Sequence, residues 1–110
     1  MAKKIKCIVK YCGEPAGHVE WVGNDLESLQ DKVEGPIETV TICQHPKVVM
    51  ICNEEGKLRD DLQPNFFFGL DLIFGDVVIC GVNGDDLADV PITLDAWRML
   101  LKKSGNDIGR

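Results

Sequence analysis

Cysteine, histidine and carboxylate side chains are where this chain could do chemistry, and their spacing decides which chemistry to expect. Cys43 and His45 stand one residue apart at the end of an apolar run, and Cys7, Cys12 and His18 lie close together in sequence. A structural zinc site wants about four such ligands, commonly as C-x-x-C or H-x-x-x-H pairs on one turn. Neither spacing occurs, so no metal and no cofactor is expected. A cysteine nucleophile needs a partly exposed thiolate of lowered pKa. Cys7, Cys43, Cys52 and Cys80 instead sit among Val and Ile, where a thiol behaves as a small buried hydrophobe.

Glu54 and Glu55 are adjacent carboxylates, and acid and base roles require environments that push the two pKa values apart. Neighbouring residues usually diverge in direction. The stretch Asn53 to Lys57 reads as a turn, with Gly56 expected at positive φ and the charged groups in water. No catalytic residue is assigned. A tentative ligand-binding group is Asn53, Glu55, Lys57 and Asn65. The acidic set Asn83, Asp85, Asp86 and Asp89 does not follow the ligand register of an EF-hand loop. Phosphate-binding glycine loops and the G-x-S-x-G nucleophile elbow are absent from the sequence.

The segment FFFGLDLIF, residues 66–74, has seven large apolar residues in nine. Part of it is expected to fill a core and part to form an interaction surface that includes Phe66, Phe67, Phe68 and Phe74. Strand alternation would expose Phe67 if its two neighbours point inward.

A chain of 110 residues with 45% apolar content suffices for one core, so a single domain over 1–110 is expected, with its core at about 3–104 and a frayed tail over 105–110. The formal charge of −6 and the scattered lysines give no phosphate-binding face, so no nucleic-acid partner is expected. No apolar run approaches the roughly 18 to 20 residues of a membrane span. The odd number of cysteines and the lysine-interrupted start, which lacks an export h-region, point to the cytoplasm.

The elements follow from periodicity. Lys3 to Tyr11 alternates, with Ile5, Cys7, Val9 and Tyr11 toward a core and Lys4, Lys6, Ile8 and Lys10 on a face mostly toward water. HVEWV follows a Gly/Pro-marked turn as its hairpin partner. Asn24 and Glu27 have capping-box spacing, Leu26, Leu29 and Val33 form an apolar stripe, and Gly35-Pro36 ends the helix. Pro36 to Cys43, Lys47 to Asn53 and Gly75 to Val82 are further strands, and VVMIC reads as central. Arg59 to Asn65 is expected to be a loop. Thr93 caps a last helix with Leu94, Trp97, Leu100 and Leu101 inward and Gly105 as its stop. The predicted fold is α+β, a mainly antiparallel sheet of about five strands with two packed helices.

The series LESLQDKVEGPIETV, ICNEEGKL, Pro64-Asn65, DLIFGDVVICG and Thr93-Leu94-Asp95 resembles the DUF3846 family over roughly Lys4 to Leu101. Its most specific part is Asn53 to Lys57 together with Asn65. The resemblance implies a compact fold and a bacterial, phage or mobile-element setting, and it brings no activity, substrate or catalytic residue. The Phe66-Phe67-Phe68 run departs from the polar, often arginine-bearing loop that the family resemblance leads one to expect there. The expected function is that of a non-enzymatic accessory binding module acting by contact with a protein partner or with itself. The alternative is a small-ligand-binding protein or small enzyme with a pocket near Asn53 to Lys57 and Asn65.

Overall fold

Residues 3–108 are described by a computed structural model. The elements run β1 (Lys4–Lys10), β2 (His18–Gly23), α1 (Leu26–Val33), β3 (Ile37–Gln44), β4 (Lys47–Asn53), β5 (Pro64–Phe68), β6 (Asp71–Phe74), β7 (Val77–Asn83), β8 (Asp86–Ala88) and α2 (Leu94–Lys103). The main sheet has the order β2-β1-β7-β4-β3, with β8 also paired to β7, and every pairing is antiparallel. This is the expected α+β class.

Strands β4 and β7 are apolar on both faces, and β1 adds Ile8 on its otherwise lysine-bearing face, so the sheet must be covered twice. Val78 and Cys80 of β7, Val49 and Ile51 of β4, and Ile5, Cys7 and Val9 of β1 meet Leu29 and Val33 of α1. On the other face Ile8, Val48, Met50, Val77 and Ile79 meet Trp97 and Leu101 of α2 and Phe66 and Ile73 of the β5–β6 hairpin. Burial of each large aliphatic side chain contributes roughly 1.5 to 3 kcal/mol, which outweighs the weak propensity of such short elements. The Trp97 indole N–H is satisfied by the Ala16 carbonyl at 2.8 Å, as a buried donor requires. Burial lifts the thiols of Cys7 and Cys80 to about 12, Cys80 itself adding to the shift at Cys7.

Several details differ from the sequence reading. Asp25, not Asn24, caps α1 by accepting the Ser28 amide, because Asn24 is drawn away to donate to the Leu87 carbonyl. Glu34, not Gly35, takes the left-handed stop at φ 63°. Gly35 is needed for space, since a Cβ there would lie 2.7 Å from Asn53 Nδ2. Leu26 is exposed, so the buried stripe of α1 is Leu29 and Val33. Gly56 is buried but not at positive φ, and its hydrogen side faces Phe74 and the Asn53 carbonyl.

The expected 59–65 loop gives way at Pro64 to β5, which pairs with β6 as a second, two-stranded sheet. Part of the acidic loop after Asn83 is strand β8. The tail is packed as far as it is described. Asn106 clamps both backbone groups of Phe67 at 2.7 Å, and Ile108 is buried with α2; residues 109–110 lie outside the described part. The water-facing side of β1 is also partly closed. Ile8 and Lys10 are buried there while Lys4 and Lys6 stay exposed, and Tyr11, expected toward the core, is exposed.

The segment after β8 crosses the sheet at Gly81, where a Cβ would sit 2.5 Å from the Asp89 carbonyl oxygen and 3.0 Å from Pro91 Cδ. Both obstacles are backbone or ring atoms, which cannot rotate away. Gly81→Ala is therefore expected to lower stability by about 1 to 3 kcal/mol in chemical denaturation. An unchanged midpoint would show that the 89–91 crossing is not held against the strand.

Candidate functional site

A cleft of about 330 Å³ opens between the ends of β3 and β4, the 53–58 turn and the β5–β6 hairpin. Val40, Cys52, Phe68, Ile73 and Phe74 form apolar walls, and Glu38, Lys57, Leu58 and Asp71 stand at the lining's more exposed positions. Lys57 pairs with Asp71, tying the turn to the hairpin. Cys52 points its thiol to the Glu38 carboxylate at 3.8 Å, and burial followed by that carboxylate raises its pKa to about 12. Such a thiol is a hydrophobic wall rather than a nucleophile at neutral pH.

Asn53, Glu55, Lys57 and Asn65 do not converge. Asn53 is buried, donating to the Val33 carbonyl at 3.0 Å and accepting the Glu55 amide at 2.7 Å. It ends α1 and starts the turn at once. Glu55 contributes its carbonyl to Leu58 and Arg59, and its side chain is not part of the cleft wall. Lys57 is on the cleft but already paired. Asn65 lies in another cleft, donating to the carbonyls of Lys10 and Gly75 at 3.0 and 2.8 Å. The proposed interaction residues divide by alternation. Phe66 is buried edge-on against Trp97 at 5.5 Å, Phe67 is 47% exposed, and Phe68 and Phe74 are half-buried at the first cleft. Leu58 is largely exposed and Leu70, at the hairpin tip, wholly so.

The second cleft, about 380 Å³, lies between the 13–15 turn, Asn65-Phe66 and the 106–108 tail, with Lys10 in its lining. Lys10 is only 3% exposed, and its ammonium reaches Asn65 Oδ1 at 2.5 Å. Sequence reasoning placed this residue on the wetter face of β1. Nothing local in KIKCIVK distinguishes Lys10 from Lys4 and Lys6, because the cover comes from β5, more than fifty residues away in sequence.

The remaining titratable cluster is on the β2 edge. His18 bonds Glu14 at 2.7 Å through Nδ1 and Glu20 at 2.8 Å through Nε2, while Lys32 pairs with Glu20 and reaches the Tyr11 hydroxyl at 3.0 Å. The hydrogen bond to Glu20, against some desolvation, raises the His18 pKa above its ordinary value. At Glu20 partial burial opposes ionisation, but the bonds from Lys32 and His18 prevail and its pKa is lowered. Among the described residues, no group of three His, Cys, Asp or Glu side chains is arranged to hold a metal ion.

Two outcomes follow from these contacts. Asn53→Ala removes both bonds of a buried amide and leaves the Val33 carbonyl unpaired, so it should cost about 1 to 3 kcal/mol in chemical denaturation, with Glu55→Ala nearly neutral. A larger loss at Glu55 would mean that its carboxylate has a structural partner. For His18 the raised folded-state pKa contributes stability fully present below the unfolded pKa near 6.5 and lost as pH rises through the folded value. The lowered Glu20 pKa keeps its own contribution until pH falls below the normal glutamate range. His18→Ala should therefore destabilise more at about pH 5.5 than at about pH 8.5, by under about 1 kcal/mol because the pair is partly solvated. An equal or reversed difference would contradict the imidazolium assignment.

Comparison with curated proteins and with solved structures gives no match. The family described as Domain of unknown function (DUF3846) matches residues 5–101. That span begins in β1, includes both clefts' principal walls and ends in α2. The chain belongs to the DUF3846 family.

Proposed function

We propose that this chain is a non-enzymatic binding module that takes an extended, apolar and basic-flanked segment of a partner protein into the cleft beside the β5–β6 hairpin. The observation that carries this reading is the apolar material left outside the core there: Leu58 is exposed in the lining of a cleft walled by Phe68, Ile73 and Phe74, and Leu70 is exposed at the tip of the hairpin that forms one of its sides. The free edge of β3 adjoins the same cleft through Glu38 and Val40. An incoming strand can bond such an edge while its alternate side chains enter the groove. Glu38 and Glu54 around it, on a chain of net charge −6, favour a basic partner. The setting that goes with this reading is an accessory role in the cytoplasm of a bacterium, phage or mobile element, without nucleic-acid contact. Among the described residues no helix is long and apolar enough to cross a membrane.

The rival pocket of Asn53, Glu55, Lys57 and Asn65 has less support. Its two amides are committed to backbone partners in separate places. Selection from a random peptide library, followed by amide-shift mapping of the winning peptides, tests the reading. Apolar peptides with basic flanks should shift Val40, Phe68 and Leu72, bind more weakly at high salt, and lose roughly tenfold in affinity with Leu58→Ser plus Leu70→Ser. Winners that map elsewhere, a selection without winners, or a concentration-dependent dimer sealing this cleft in sedimentation would each overturn it.

A further inference from the structure

Lys10 presents a physical problem that the rest of the molecule does not share. Among the described residues it is the buried cation, no carboxylate forms an ion pair with it, and the ion pairs present involve His18, Lys32, Lys57 and Arg59. A buried charge is normally paired, since desolvation without compensation is costly. The hydrogen-bond acceptor it has is neutral. Asn65 must turn its oxygen to the ammonium, because its amide nitrogen is fixed by the carbonyls of Lys10 and Gly75. The Phe66 ring stands 5.5 Å from the ammonium and adds a cation–π contact. An ammonium has three N–H donors, so two have no protein acceptor among the described residues.

Lys10 is in the lining of the second cleft. Asn106 lines it but is used up by Phe67 and the Leu101 carbonyl. Glu14 lines it too, with both oxygens engaged by His18 and by the Tyr11 amide. Asp107 also lines the cleft, at an exposed position, so Lys10 is the one cation in a lining that otherwise holds carboxylates and amides, and it is set among the apolar surfaces of Pro15, Phe66 and Ile108. We propose that this cleft binds a small monocarboxylate, its carboxylate on the Lys10 ammonium and its hydrocarbon part against Pro15, Phe66 and Ile108. One cation answers one negative charge, and the acidic character of the chain disfavours a dianion. Burial holds the Lys10 pKa below its ordinary value, against the opposing pull of Cys12, Glu14 and Asp76, and a bound carboxylate would bring it further back up.

The test uses the full chain with lysine side chains labelled for NMR, titrated at constant ionic strength with butyrate, with butyramide as its neutral match, and with inorganic phosphate. Butyrate should give saturable shifts at Lys10, Asn65, Phe66 and Ile108 and raise the Lys10 pKa, while butyramide and phosphate should not. Lys10→Met, its fold checked by circular dichroism, should lose roughly tenfold or more in butyrate affinity, with the surface variant Lys6→Met unchanged. Should Lys10→Met fail to fold, the contrast between butyrate and butyramide on the unaltered chain decides alone. Equal binding of butyramide would reduce the cleft to an apolar hollow. Tighter binding of phosphate, or no saturable shift at Lys10, would overturn the assignment outright.

Discussion

Two adjacent strands, β7 and β4, carry apolar side chains on both faces over most of their length, with Ile8 of β1 beside them, and this two-sided burial governs the rest of the molecule. A sheet with one wet face needs a single covering layer; here each face needs its own. With only 110 residues the chain has two short helices to spend, and α1 closes one side through just Leu29 and Val33. On the other side α2 alone is too narrow, which is why the phenylalanine run becomes a hairpin and lies down beside it. Phe66 and Trp97 meet edge to face at the seam between the two covers. The 59–76 region is thus a second roof whose inner face is core and whose outer face is free to differ.

Irregular chain laid over a sheet must find partners for its backbone, and two asparagines supply them. Asn53 holds the end of α1 to the turn after β4, and Asn65 holds the start of β5 to the end of β1 and to Gly75. An amide suits both positions because it donates and accepts at once. These are also the residues on which the family resemblance rests most specifically. Their specificity has a structural account: each fastens a cover to the sheet, so their presence identifies the fold without requiring a shared ligand.

The sequence disclosed what local periodicity and punctuation can disclose. VVMIC as a central strand and Thr93 as a cap were legible because each depends on neighbours a few residues away. Asn24 misled because two capping residues stand side by side, and a distant carbonyl on Leu87 claims the first. Gly56 misled for a related reason: a glycine can be needed for close approach as well as for φ, and only Phe74 across the turn distinguishes the two. The hairpin at β5–β6 was hidden by its proline and polar lead-in. Among the candidate site residues, exposure of Phe67 was legible from alternation, whereas the separation of Asn65 from Asn53 was not.

Lys10 shows most clearly where such reading stops. Its neighbours in β1 alternate as a half-wet strand should, and the cover over it comes from segments outside β1, among them the 13–15 turn, β5 and the tail after α2. Stability gives little reason for an ammonium there. A well-packed apolar side chain of similar volume in place of a buried charge is often neutral or stabilising. The amide of Asn65 softens the penalty without supplying the missing charge, and the Phe66 ring contributes only its quadrupole. If folding is served as well by methionine, the explanation for lysine at this position comes from what the open side of the cleft admits, which is the reason the carboxylate proposal is tested on that variant.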